Sequence, residues 1–341
     1  MRSVESGLPG FVLHGASGRL TTIRSRRLVC MASSTRQGLE EVLSSGKYEG
    51  ILLDQFGVLH DGRTAYVEAI NCVRLAQETG AKVAIVSNTS RRSAGCAAKL
   101  EKYGYEESWF DAAVTSGELA FEVLSSRRHE FGLPESPSKI IHTNWIERGT
   151  ISVDDPRLGV LPVGEDIDSA DFILCHGTEG ISLPDGTVKP ASLDYLVAFL
   201  KKCSARKLPL VCANPDIVTV DGDELITMPG FLSKSYKDFG GPVINLGKPE
   251  EIVYEKACSL LGIQDRTRLL AIGDSLEHDI LGAQRAGVDA LMIGGGIFAT
   301  ELSISPDQAS KSVDEDVLKK LVSKHAPECE MPTYALPYLR W

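Results

Sequence analysis

The sequence predicts an α/β protein, a doubly wound parallel sheet with a second α/β unit inserted into it. Three observations carry that expectation. Short apolar runs alternate with helical stretches, the pattern of a parallel sheet covered by helices. The first two and the last two runs are joined by close helical crossovers. Between about residues 134 and 241 the chain turns richer in Pro, Gly and Asp yet keeps strand and helix signals. A self-contained insertion explains that stretch better than a loop of about 100 residues.

In chain order, the expected strands of the main sheet are Gly50–Leu53, Val83–Val86, Ala112–Val114, Leu269–Ile272 and Ala290–Ile293. The inserted unit carries strand runs Lys139–His142, Phe172–Cys175 and Leu210–Cys212 and a helix over Leu193–Lys202. Ile252 to Leu261 reads as a helix whose Val253, Ala257, Leu260 and Leu261 form one buried stripe at i, i+4, i+7 and i+8. The carboxyl-terminal segment ending Tyr338-Leu339-Arg340-Trp341 reads as a packed tail with no chemistry of its own.

Composition bounds the function. The 341 residues, 43% apolar and 24% charged, suffice to bury a full core. A net charge of −10 argues against a nucleic-acid binder, and no run approaches the length of a membrane span. The eight cysteines are scattered singly, without zinc spacing, and are expected as reduced core thiols. Residues 1–30 differ from the rest, with five Arg and one Glu among Ser, Thr and Gly. That composition suits a transit peptide for chloroplast or mitochondrion; the alternatives are a disordered tail, or a cytoplasmic protein translated from Met31. Without this segment's net +4, the remainder stands at −14.

Four motifs carry chemistry. Ile51-Leu52-Leu53-Asp54-Gln55-Phe56-Gly57 is an apolar strand that delivers a carboxylate at its carboxyl end, where open α/β sheets bind ligands. An Asp there also serves as a simple turn or cap residue. Val86-Ser87-Asn88-Thr89-Ser90 ends a second strand with small groups able to hold a phosphoryl oxygen, or to cap a helix. Gly247-Lys248-Pro249-Glu250-Glu251 marks a helix start with Lys248 at its positive end, either functional or exposed decoration. Ala271-Ile272-Gly273-Asp274-Ser275-Leu276-Glu277-His278-Asp279 places two acids beyond a strand, as oxygen ligands for magnesium or as caps of a helix near Leu276.

Asp54, Ser87, Lys248 and Asp274, in that order and each at the edge of a core element, resemble the four signature motifs of the haloacid dehalogenase (HAD) superfamily. The long interval between Ser87 and Lys248 is similar to that of the NagD-like subfamily IIA, whose large α/β cap lies between the second and third motifs. Val114-Thr115-Ser116-Gly117, Asn214-Pro215-Asp216 and Met228-Pro229-Gly230 support the likeness, which spans about Tyr48 to Phe298. It implies a Rossmann-like HAD core over 40–118 and 243–341, a cap over 119–242, and 1–31 as transit peptide or tail. It further implies a magnesium-dependent phosphatase acting on a small phosphorylated metabolite through an aspartyl-phosphate at Asp54. Asp54, Asp274 and the carbonyl of Phe56 would ligate magnesium. Ser87, Asn88 and Lys248 would hold the phosphoryl oxygens, and Asp279 would orient Lys248 or a metal-bound water. Asn214 and Asp216 would touch substrate, His176 less so, since N-P-D turns and interior strand-end histidines also occur without ligands. Cap-to-cap homodimers occur among the proteins resembled.

Position 56 departs from the family. Most of its phosphatases carry there a second Asp that serves as general acid, and here it is Phe56. Loss of such an acid costs about 10²–10⁴ in rate. Three readings stand: a phosphatase with a substitute acid, His60 or Asp61 being nearest, or with an undemanding leaving group; a protein that binds a phospholigand without turnover; and a dehalogenase, which needs no acid.

Overall fold

The computed structural model describes residues 38–305 and 312–341, apart from 223. The expected transit peptide at 1–31 lies outside the described residues.

The main sheet is built from β1 (Gly50–Leu53), β2 (Lys82–Ser87) and β3 (Ala112–Thr115), and, after a long excursion, β13 (Leu269–Gly273), β14 (Asp289–Ile293) and β15 (Tyr334–Leu336). The intervening strands are β4 (Ser138–Asn144), β5 (Val160–Pro162), β6 (Phe172–Cys175), β7 (Gly180–Ser182), β8 (Val188–Pro190), β9 (Leu210–Cys212), β10 (Val218–Asp221), β11 (Glu224–Thr227) and β12 (Val243–Asn245). The main sheet runs β15-β14-β13-β1-β2-β3, every pair parallel. Winding thus proceeds outward in both directions from the junction of β1 with β13, and ligands of doubly wound sheets bind at such a junction.

Alternation along β1 shows why both faces are covered. Ile51 and Leu53 enter one apolar cluster with Val83, Ile85, Leu270 and Ile272. Leu52 points to the other, with Ala84, Val86, Val253 and Leu269. The helices α1 (Leu39–Leu43), α2 (Val67–Glu78) and α3 (Ser93–Lys102) supply the first face; α4 (Ser116–Glu122), α7 (Glu251–Leu261), α8 (Leu281–Arg285) and α9 (Glu315–His325) supply the second. Strands buried on both faces are continuous apolar runs, as the sequence shows.

The inserted unit is a mixed sheet, β12-β9-β6-β4-β7-β8, with β5 also on β4. Its helices α5 (Leu193–Ser204) and α6 (Pro229–Asp238) close a third cluster. In α5 the Ser192 hydroxyl accepts from the Tyr195 N–H at 3.2 Å, and Leu196, Phe199, Leu200 and Cys203 form the buried stripe. The β10–β11 hairpin stands apart from both sheets.

Several expectations need correction. Val243–Asn245 pair with β9, so the cap extends past the boundary expected at 242. In α7, Leu260 is exposed, and the buried stripe is Val253, Tyr254, Ala257, Cys258 and Leu261, because the helix packs one position further round. The carboxyl-terminal segment supplies a sixth parallel strand, Tyr334–Leu336, not only a tail. The seven described cysteines are free and buried. Among the described residues no helix is long and apolar enough to cross a membrane.

Candidate active site

Asp54, Ser87 and Asp274 each follow or end a core strand on one edge of the sheet, and all three line a single crevice of about 260 Å³ together with Asp216 and Asp279. Asp54 is fixed by its backbone, whose N–H donates to Ile272 O at 2.9 Å and so extends the β1–β13 register by one residue. Its Oδ1 lies 2.8 Å from Lys248 Nζ. The same ammonium stands 2.6 Å from Asp279 Oδ1, and Lys248 is 3% exposed. Lys248 is therefore no surface decoration. It precedes α7 by three residues, so the helix begins two residues later than Pro249 suggested.

Oxygen atoms of Asp54, Asp274 and Asp279 all lie within 4.8 Å of one another. Asp274 is held from two sides. Ile297 N–H donates to its Oδ2 at 2.9 Å, and Gly57 and Gly296 approach so closely that a methyl group at either would overlap the carboxylate. Gly57 also has φ +74°, which favours glycine. Asp279 accepts from Ser275 N–H at 3.1 Å through its other oxygen. Ser275, not either acid, caps the turn that follows: its Oγ accepts from the His278 N–H at 3.2 Å.

Three carboxylates around one ammonium leave surplus negative charge in a dry place. Burial above all, reinforced by Asp279 and Asp216 and opposed by Lys248, pushes the Asp54 carboxyl up to about 7. Burial, then the charges of Asp54 and Asp279, holds Asp274 well above the carboxylate range. A hard divalent cation relieves this, and an all-oxygen donor set of this size fits one.

Other expected residues are placed differently. Asn88 does not line the crevice. Its Oδ1 accepts from Lys248 N–H at 2.7 Å, and its Nδ2 donates to Lys248 O at 3.0 Å and to Asp216 Oδ1 at 2.8 Å. Its side chain thus clamps the lysine segment and the cap and is not aimed at a phosphoryl group. The Ser87–Ser90 run is no helix cap, since α3 begins at Ser93 after Arg92. Asn214 and Asp216 both line the crevice, with Asn214 Oδ1 accepting from Asp216 N–H at 3.1 Å. His176 lies outside this crevice, buried, its Nδ1 2.9 Å from His142 Nε2: an interior strand-end histidine.

Neither substitute acid is suitably placed. His60 is fully buried behind Phe56, with ring centroids 4.5 Å apart, and Gly62 N–H donates to its Nδ1 at 3.0 Å. Burial, helped by Lys99, pushes its pKa down to about 3. Asp61 closes a turn, accepting from Arg63 N–H at 2.8 Å and from Thr64 N–H at 2.6 Å. Phe56 itself does line the crevice. So do Lys99, Arg148 and Trp145, which the sequence reading missed; they come from α3 and from the segment after β4, and no local spacing ties them together.

Residues 51–142 match the family described as haloacid dehalogenase-like hydrolase, and residues 245–319 a second pattern described as HAD-hydrolase-like. The chain belongs to the haloacid dehalogenase-like hydrolases. The interval between the two matches is filled by the cap of this HAD hydrolase, between Ser87 and Lys248 as in the NagD-like type. Chronophin of Bos taurus is 25% identical over 275 residues, 75% of this chain and 84% of that protein. A haloacid dehalogenase-like hydrolase from Brucella suis 1330 superposes with a TM-score of 0.65 at 26% identity, over 89% of this HAD chain and 99% of the other. The glycerol phosphate phosphatase of Mycobacterium tuberculosis, solved in complex with magnesium, shares the fold with a TM-score of 0.53 at 23% identity, over 74% of this chain and 69% of that one.

Proposed function

We propose that this hydrolase is a magnesium-dependent phosphatase of small phosphate monoesters, with Asp54 as nucleophile. The observation that carries the reading is the pairing of a largely buried Asp54 carboxylate, 2.8 Å from Lys248 Nζ, with two further carboxylates within 4.8 Å. A binder has no use for a carboxylate raised in energy by burial at the sheet's switch point, whereas a nucleophile has. The retained Asp274 and Asp279, and a cap inserted after the second motif, favour phosphoryl chemistry over dehalogenation.

An Asp54 oxygen attacks phosphorus, the ester P–O bond breaks, and the leaving oxygen departs with the bonding pair. Water then attacks the aspartyl-phosphate, releasing inorganic phosphate and restoring Asp54. Lys248 Nζ, already on Asp54 Oδ1, balances charge on the transferring oxygens, and Ser87 lines the place they would occupy. Magnesium, as in the M. tuberculosis relative, would be held by Asp54, Asp274 and the Phe56 carbonyl, and would neutralise phosphoryl charge. Asp279 sets the position of Lys248 through its 2.6 Å contact. With Phe56 lacking a proton and His60 and Asp61 engaged elsewhere, the leaving group takes its proton from solvent or from the substrate. Slow turnover on poor leaving groups follows.

A panel of phosphate esters assayed with and without magnesium tests the reading; absence of any magnesium-dependent phosphate release would replace it with the binding alternative. The Arg-rich residues 1–31 support import into a chloroplast or mitochondrion. A fluorescent fusion of that segment should concentrate in an organelle, and a diffuse signal would refute import.

A further inference from the structure

The crevice has two electrically opposite ends. One holds the Asp54, Asp274 and Asp279 carboxylates around Lys248. The other is lined by Lys99, Arg91 and Arg148. Lys99 has no carboxylate partner among the described residues; its Nζ rests 4.4 Å from the Phe56 ring centre and 5.5 Å from that of Tyr103. Arg148 Nη2 contacts Asp221 Oδ2 at 2.6 Å, but Asp221 also serves Arg63 Nε at 3.1 Å, so one carboxylate answers two guanidiniums. Arg91 Nη2 spends its hydrogen bond on the Arg148 carbonyl at 2.6 Å, which adds charge without cancelling any. In a chain of net charge −10, this surplus of cations at one end of one crevice is a local construction.

We propose that this basic wall binds a second anionic group of the substrate, so that the preferred ester carries a carboxylate or a second phosphoryl group reaching Lys99 and Arg148. The inference rests on the phosphatase reading and deepens it. It also gives Phe56 a purpose. The aromatic ring supports the Lys99 ammonium without neutralising it, which leaves its charge free for a ligand. The crevice of about 260 Å³ suits a short molecule bridging both ends.

The test uses matched esters: phosphoglycerate against glycerol phosphate for a carboxylate, and propanediol bisphosphate against hydroxypropyl phosphate for a second phosphoryl group. The wild-type protein should favour at least one anion-bearing member by roughly tenfold in kcat/KM, the worth of one charge-assisted contact. Lys99→Met and Arg148→Met should collapse that ratio toward one through KM, and Lys99→Arg should keep it. Lys99→Glu should turn preference toward phosphoethanolamine. Whichever pair shows the ratio identifies the second group. A wild-type ratio of one for both pairs, or a ratio untouched by Lys99→Met, overturns the proposal. If no ester is hydrolysed at all, the phosphatase reading fails separately. Calorimetric binding of the same pairs then decides the wall: tighter binding of the anionic member, lost in Lys99→Met, upholds it, and equal binding overturns it.

Discussion

Lys248 Nζ lies 2.8 Å from Asp54 Oδ1 and 2.6 Å from Asp279 Oδ1, so one buried ammonium divides its charge between the residue proposed to attack phosphorus and the residue that steers the lysine. Lys248→Met should lower kcat/KM by about 10²–10³, the usual loss when one preorganised donor is removed from a developing oxyanion. It should also destabilise the metal-free protein by roughly 3–5 kcal/mol, since two carboxylates lose their buried partner. Asp279→Asn in the same chain should recover part of that stability and little of the rate, measurable by urea titration beside the assay. Equal recovery of both would show that Lys248 acts only in folding.

Phe56→Asp restores the carboxyl that most phosphatases of this superfamily carry at this position, on a residue that lines the crevice. Turnover of alkyl phosphates should rise more than turnover of activated aryl phosphates, because only a poor leaving group needs protonation in the transition state. The comparison is a ratio of kcat values across leaving-group pKa. An unchanged slope would mean that the proton already comes from another protein group.

His60 sets a stability limit at low pH. Its folded pKa of about 3 lies below the unfolded value near 6.5, so the unfolded chain binds the proton more readily. Its contribution is complete above about 6.5 and is lost as pH falls toward 3. The buried His142, well below its usual range, and His176, near 4, add to the same window, both through burial. His60→Asn should therefore flatten, without abolishing, the fall of unfolding free energy between these limits. An identical pH profile in the variant would contradict the assignment.

What was legible in the sequence was local. An apolar strand followed by Asp54, and another followed by Gly273 and Asp274, told of strand ends at a ligand edge, because burial on both faces leaves an unbroken apolar run. The order of the motifs fixed where the cap had to lie. Rotational detail was not legible: Leu260 fits the helical spacing yet faces solvent, since the packing of α7 against the sheet, not periodicity, chooses among adjacent apolar stripes. Asn88 reads as a phosphate ligand by its neighbourhood, but its amide is consumed by Lys248 and Asp216, both more than 120 residues away in the chain. Lys99 and Arg148 carry no motif, and only the meeting of α3 with the cap brings them into one crevice. Strand β12 falls beyond the cap boundary expected at 242 because three residues hold no signal of which sheet they join.

The most direct test is the covalent adduct on Asp54. The wild-type protein mixed with a hydrolysable ester and magnesium, then quenched in acid within one turnover, should yield a peptide containing Asp54 that is heavier by one phosphoryl group and loses it to hydroxylamine. Asp54→Asn should show neither adduct nor turnover above background while still binding ligand. Phosphate release that persists in Asp54→Asn, or an adduct on any other residue, would contradict the account.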